Sequence, residues 1–344
     1  MGNHTLVAVD LAKAVFEVAV STEPGRVSRR ERLPRGRFLS FFAQLPKATV
    51  LMEACGSAHF WARSLQRLGH TPVLIPPQYV RPYVVRNKTD RTDAKGILEA
   101  HRNEEIRSVP VKTVAQHALG GLHRLRSAWL ADRTARINTL RGLLRELGIT
   151  IPLGAEHVVP AVQLHLGDAD SEIPDSLRPA LAEVCAEIRD FERRIAEVER
   201  QLEKMAIQTP AVSQLRSIPG VGLITATALF AFVGQVQRFP SARHFASYLG
   251  LTPRERSSGG SRRLGRISKR GDVYLRTLLI HGARSVVLGA QRMKEPDRLR
   301  TWVLKLRARR GHNPAAVAMA NKMARIIWAV WRTGRPFESI PAAA

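Results

Sequence analysis

Residues 87–97 read NKTDRTDAKGI and place two carboxylates, Asp90 and Asp93, three positions apart inside a basic run. On a helix that spacing is nearly one turn, so both side chains project from one face and repel each other. A cation must sit nearby. The candidates are the local Lys88, Arg91 and Lys95, or a divalent metal that accepts oxygen ligands. Two more acids stand where apolar runs end, Asp10 after TLVAV and Glu53 after TVLM. An acid closing a first strand, another closing a later central strand, and an i, i+3 pair on a following helix can converge at one edge of a sheet. So arranged, Asp10, Glu53, Asp90 and Asp93 would make a metal-binding nuclease core, in which carboxylate-held divalent ions orient an attacking oxygen and stabilise the leaving one. Every donor is a hard oxygen, which favours Mg2+ over Zn2+, with Mn2+ the other candidate. The competing reading leaves the pair on a solvated surface, where the neighbouring cations neutralise it at little energetic gain.

The second constellation is RERSSGGSRRLGRISKRGD. Between Leu251 and Arg276 stand eight cations, Arg254, Arg256, Arg262, Arg263, Arg266, Lys269, Arg270 and Arg276, against two acids, Glu255 and Asp272. Such a loop suits phosphate. Gly259 and Gly260 let the backbone approach a ligand closely, and Ser257 and Ser258 could donate hydrogen bonds or act as nucleophiles. Composition alone favours a flexible phosphate-binding loop without covalent chemistry. No histidine stands close by in sequence as a base, so serine attack on a phosphodiester would need charge neutralisation by Arg and Lys and deprotonation assisted by metal or solvent.

These groups need elements to hold them. Residues 5–9 and 15–20 read as adjacent strands; a Pro- and Gly-containing stretch then leads into a helix at FLSFFAQL. A strand ending at Glu53, a helix closed by Gly69, a strand at TPVLIPP and a helix over the Asp90/Asp93 segment, with Thr89 or Asp90 as N-cap, complete an α/β layer. From about 114 to 147 the apolar positions recur at helical spacing, and the other face carries Arg124, Arg126, Arg133, Arg136, Arg141 and Arg145. That face could follow a phosphate backbone or simply be solvated. A loose segment with Pro152, Pro160 and Gly167 precedes a charged amphipathic helix at 176–206 with near-heptad spacing, a helical hairpin or an oligomerising coiled coil. The remainder is helical, and SIPGVG sits between two helical segments like the turn of a helix-hairpin-helix, whose amides can bind phosphate without reading sequence.

The chain has 344 residues, with 54 Lys and Arg against 29 Asp and Glu, a net charge of +25. That excess points to a polyanionic partner, most often nucleic acid. The longest apolar runs fall far short of the roughly 20 residues needed to cross a bilayer, so no membrane role and a soluble, intracellular location are expected. Two cysteines exclude a disulfide framework and a Cys-based zinc site, and the eleven histidines show no metal-ligand spacing.

Together VAVDLAK, MEACGS, RNKTDRTDAKGI, SIPGVG and YLGLTPRERSSGGSRRLGRISKRGDVYLRTLLIHGAR resemble the DEDD transposases of the IS-one-ten group of bacterial insertion sequences, bridge-RNA-guided recombinases, and especially their IS-eleven-eleven branch. The resemblance covers nearly the whole chain. It implies a RuvC-like, RNase H-fold N-terminal domain at 1–110, a long helical coiled-coil linker at 111–207, and a mostly helical C-terminal transposase domain at 208–344 bearing a catalytic serine. It further implies that Asp10, Glu53, Asp90 and Asp93 are the acidic tetrad and that Ser258, preceding the first glycine, is the nucleophile that forms a covalent phosphoserine link to a cut strand. Adjacent Ser257 leaves that assignment open. Donor and target double-stranded DNA, a structured noncoding guide RNA and further copies of the chain, a dimer or a tetramer in the synaptic complex, would be the partners of this nucleoid-associated cytoplasmic enzyme. The other readings are a Mg2+-dependent, RuvC-like junction-resolving nuclease in which water attacks, and a non-enzymatic nucleic-acid scaffold.

Overall fold

The computed structural model describes residues 5–23, 26–84 and 90–341, and separates into two compact units, Met1–Ala115 and Gln116–Ala344. The first is built on strands β1 (Leu6–Asp10), β2 (Val15–Ser21), β3 (Arg29–Pro34), β4 (Thr49–Glu53) and β5 (Thr71–Ile75), in the spatial order β3-β2-β1-β4-β5. The β1–β2 and β2–β3 pairs are antiparallel, while β1–β4 and β4–β5 are parallel. Side chains alternate across the sheet. Val7, Val9, Val50 and Met52 face a core closed by α1 (Phe38–Gln44) and α2 (Ala58–Arg67), where Phe16, Phe38 and Trp61 pack edge to face and Phe42 lies tilted against Phe38. Ala8, Ala19, Leu51 and Ile75 face the opposite core, covered by α3 (Pro77–Val80) and α4 (Asp90–Arg102) through Val80, Ala94, Ile97 and Leu98. Buried His70 is a satisfied core histidine. Its Nδ1 accepts from Ala48 N–H, which leaves Nε2–H to donate to Phe42 O.

Strand β3 departs from expectation. RRERLP has no apolar alternation of its own and reads as part of a loop, but pairing with β2 supplies the partner that makes it an edge strand, and its charges suit an edge. Of α4, side chains are described from Thr92 onward, so the expected N-cap Thr89 and the side chains of Lys88, Asp90 and Arg91 lie outside the described residues.

The second unit contains the long helices α5 (Val114–Glu146) and α7 (Arg178–Ile207), with α6 (Val158–Gly167) between them. The segment around Pro160, expected to be loose, is therefore partly helical: Pro160 lies in the first turn, where its missing N–H is no loss, and Val158, Val159 and Val162 are buried. Leu119 packs with Val198 and Leu202, and Ile137, Leu140 and Leu144 pack with Leu181, Cys185 and Ile188, so α5 and α7 run antiparallel as an intramolecular hairpin. Ion pairs Arg126–Glu199, Arg133–Glu192 and Arg136–Glu187 follow the same antiparallel order, and Arg141 donates to Pro152 O and Gly154 O. Four of the six arginines that could have followed a phosphate backbone are thus engaged within the chain.

A helical core follows, made of α8 (Pro210–Arg216), α9 (Leu223–Val233), α10 (Ala242–Tyr248), α11 (Val273–Ala290), α12 (Arg298–Arg310) and α13 (His312–Thr333). The SIPGVG turn joins α8 to α9, and its Gly220, at φ +83°, lies against α11 so closely that a Cβ there would be 2.6 Å from Gly282 O. His123 of α5 is fully buried. Thr227 Oγ1 donates to Leu223 O and therefore accepts from His123 Nε2–H at 3.0 Å, leaving Nδ1 to accept from Tyr274 OH at 3.0 Å. Burial, followed by the nearby Arg126 guanidinium, lowers the His123 pKa from 6.5 to about 4.

Two outcomes follow. Gly282→Ala, whose Cβ would meet Gly220 O at 2.0 Å, is expected to destabilise the second unit by roughly 2–4 kcal/mol, read as a lowered chemical-denaturation midpoint. Because folded His123 stays neutral while the unfolded chain takes up its proton below about 6.5, the stability it contributes is complete above that pH and declines as pH falls toward about 4. The decline is up to about 3 kcal/mol, and denaturation profiles of His123→Gln between those limits should be flatter than those of the wild type.

Candidate active site

Asp10 ends β1 and Glu53 ends β4, and the parallel register Val9↔Met52 puts them side by side on adjacent strands, whose axes are about 4.8 Å apart. Alternation sends both to the face that carries Ala8 and Leu51, the face covered by α4. Asp93 lies in the first turn of α4, immediately before buried Ala94. Sheet pairing and helix packing therefore bring Asp10, Glu53 and Asp93 to one side of one sheet. Sequence reading missed a further acid, Glu17, which pairs directly with Asp10 across β1–β2 and shares its face; the alternation within VFEVAV carried that signal. The donors are all carboxylate oxygens, the chemistry a hard divalent cation requires. Among the described residues, however, no three carboxylate, imidazole or thiol groups form a cluster able to hold a metal ion. Asp90, the fourth expected ligand, has its side chain outside the described residues, as do the expected nucleic-acid contacts Lys88 and Arg91.

The serine segment forms a β-hairpin rather than a flexible loop. Strands β6 (Pro253–Glu255) and β7 (Leu264–Ile267) pair antiparallel, and the pairing extends to Arg256 N–H with Arg263 O at 3.0 Å. At the tip, Ser258 and Ser261 exchange backbone hydrogen bonds around Gly259 and Gly260, whose φ values of +55° and +77° make the two-residue turn that suits a twisted hairpin. The two serines differ. Ser257 Oγ donates to Glu255 Oε1 at 2.7 Å and accepts from Arg263 N–H at 3.3 Å, so it is engaged in holding the hairpin. The exposed Ser258 hydroxyl has no side-chain hydrogen bond among the described residues.

Cations surround the hairpin unequally. Arg254, Arg256, Arg263, Arg266 and Lys269 line an open concavity of about 540 Å³. Arg262 instead pairs with Glu255 at 3.4 Å, and Arg270 is exposed at the hairpin base. Arg276, counted from sequence among the loop cations, is buried and donates to Leu249 O and Gly271 O, so it anchors the base and is not available to phosphate. Gly250 and Gly271 make the crossing possible: a Cβ on Gly250 would lie 2.2 Å from Arg270 O, and one on Gly271 2.1 Å from Tyr248 O. Asn321 of α13 ties the incoming strand by donating to Leu251 O at 2.9 Å. These anchors left no motif that could be read in advance.

Residues 7–149 match a DEDD transposase family model, and residues 212–297 match the model described as "Transposase IS116/IS110/IS902 family". Similarity extends over the whole chain to a probable family 20 transposase of Pseudomonas aeruginosa, at 43% identity over 95% of this chain and 97% of the relative. The chain belongs to the IS116/IS110/IS902 transposase family. It is also similar to the transposase for insertion sequence element IS1111A of Coxiella burnetii, at 39% identity over 96% of this chain and 90% of that one, and to that of IS1328 of Yersinia enterocolitica, at 36% over 98% and 99%. The protein is thus a transposase, an enzyme acting on DNA, with a mixed α/β N-terminal portion and a mostly helical remainder. Among the described residues of the transposase no helix is long and apolar enough to cross a membrane.

For the transposase hairpin the turn conformation itself is testable. Gly260→Val places a β-branched residue at positive φ, a strain of about 1–3 kcal/mol that falls on the hairpin tip alone. Transposition should drop while the global melting temperature stays within a degree or two of the wild type.

Proposed function

We propose that this transposase cuts and rejoins DNA through attack of the Ser258 hydroxyl on a phosphodiester, with a noncoding RNA specifying donor and target. The observation that carries the serine assignment is the contrast at the hairpin tip, where Ser257 is engaged by Glu255 and Arg263 and Ser258 is exposed on a defined turn. In the step proposed, Ser258 Oγ forms a bond to phosphorus as one phosphorus–sugar oxygen bond breaks; the serine proton is lost and the departing sugar oxygen gains one. The number of phosphoester bonds is unchanged, so reversal of the step rejoins strands without an external energy source. Arg254, Arg256, Arg263, Arg266 and Lys269 would hold the phosphate and offset its growing charge, with Arg262 and Arg270 contributing at the rim. Asp10, Glu53, Asp90 and Asp93 would hold Mg2+ or Mn2+, which when bound supplies charge neutralisation at the scissile phosphate and lowers the pKa of a coordinated hydroxyl.

The β3-β2-β1-β4-β5 order, three antiparallel strands followed by two parallel ones with acids at the ends of β1 and β4, supports an RNase H-like, RuvC-type reading of the first unit. A composite centre, with the acidic domain of one protomer meeting the serine hairpin of another, would make a dimer the minimal active form and a tetramer the synaptic one. Three regions, 1–110, 111–207 and 208–344, remain the proposed functional division. RNA guidance rests on family membership and on a net charge of +25. The same acidic edge also favours a second reading, a junction-resolving nuclease in which water attacks and Ser258 only binds phosphate.

Denaturing the enzyme after incubation with donor DNA, guide RNA and Mg2+ separates the readings. A protein–DNA adduct is expected in the wild type, absent in Ser258→Ala, and retained at a reduced level in Ser257→Ala. Free DNA ends without adduct in every protein would select the water mechanism, and an adduct persisting in Ser258→Ala would remove that serine from its role. Asp10→Asn is expected to lower cleavage by 100-fold or more while leaving DNA binding within a few-fold. A discrete RNA should co-purify with the full chain.

A further inference from the structure

Beyond the hairpin, a further group of cations in the second unit has no ion-pair partner among the described residues. The sequence of α12, RLRTWVLKLRARR, holds six cations and no acid. Ion pairs in the C-terminal part of the described chain are Arg216–Glu203, Arg262–Glu255 and Arg300–Asp297, and none involves Arg298 of α12 or Lys322 and Arg325 of α13. Lys322 and Arg325 are three apart on α13 and therefore share a face. Lys322 Nζ sits 4.1 Å above the ring of Trp302 on α12. Burial, then the Arg298 and Arg325 guanidinium groups, hold its pKa below the ordinary lysine value. This is the reverse of the α5–α7 hairpin, where arginines are matched one by one to glutamates. Bringing Arg298 and Arg325 up to a lysine that already lies over an aromatic ring, with no ion-paired acid among the described residues, raises the energy of the free protein, and an anion among them offsets that repulsion.

We infer that Arg298, Lys322 and Arg325, with Lys322 held over Trp302, form a binding site for a phosphate of a nucleic-acid backbone, separate from the concavity of the serine hairpin. The site rests on the reading of the protein as a nucleic-acid enzyme. It is tied to the hairpin through Asn321, the residue before Lys322, which donates to Leu251 O at the hairpin base. A polynucleotide engaged at both places would be gripped on either side of that junction, which fixes the position of the strand offered to Ser258. Phosphodiester backbones of duplex DNA and of RNA present the same chemistry to such a site.

The test is the salt dependence of binding by the full chain, with a duplex DNA and a structured RNA in separate arms. Lys322→Gln/Arg325→Gln should reduce the magnitude of the log–log salt slope by about 2 and weaken binding by about tenfold or more near 0.1 M salt. Loss confined to one arm identifies which backbone the site holds. Arg298→Gln, at an exposed position, should reduce the slope by about 1 and keeps the test readable if the double variant fails to fold. The melting temperature of Arg298→Gln, which lies over no aromatic ring among the described residues, should stay within a degree or two of the wild type, so that its change in slope reports binding and not unfolding. An unchanged slope in both arms overturns the site, even where Arg254→Gln/Arg256→Gln weakens binding as the hairpin reading requires. Absence of polynucleotide binding by the wild type would instead overturn that underlying reading.

Discussion

The parallel register of β1 with β4 is the constraint on which the acidic edge depends. Val9 pairs with Met52, so the next residue on each strand is a carboxylate, and both point to the face opposite the aromatic core. A slip of one residue would send Glu53 into the packing of Phe16, Phe38 and Trp61, where a charge is prohibitively desolvated. The hydrophobic pattern therefore enforces the juxtaposition of like charges. Their repulsion is sustained by the burial of the strands that carry them. Helix α4 obeys the same logic, since burying Ala94, Ile97 and Leu98 holds Asp93 on the acidic side of the sheet.

The second unit positions the hydroxyl proposed as nucleophile by a different device. A two-stranded hairpin in water is marginal on its own, and this one is fixed at the base by backbone crossings that admit only hydrogen at Gly250 and Gly271, and by donors from Arg276 and Asn321. Rigidity at the base and exposure at the tip suit a group that must meet a large substrate. Gly259 and Gly260, which composition assigns to ligand approach, shape the turn, whereas Gly250 and Gly271 allow the chain to cross itself.

Charge is distributed according to what opposes it. Between α5 and α7, Arg126, Arg133 and Arg136 are each paired with a glutamate of the facing helix, which ties the helical pair together. On the hairpin and on α12 and α13 acids are few, Glu255 and Asp297 pairing only Arg262 and Arg300, so cations are in excess there. A strongly positive composition announces a polyanion; only the partners of individual arginines tell which surface is free to meet it.

Much of this was legible from residue order, because it rests on short-range periodicity. Apolar runs located Asp10 and Glu53 at strand ends, and helical and near-heptad spacing located α5 and α7. What depends on partners distant in the chain was not legible. The edge strand RRERLP exists only because β2 pairs with it, α6 forms because its valines find a core, and Arg276 is buried because carbonyls at Leu249 and Gly271 await it. The two serines illustrate the division best. Sequence sets them side by side as chemical equals, and the hairpin, by folding Glu255 and the Arg263 amide onto Ser257, decides which hydroxyl is engaged in holding the turn and which is left exposed.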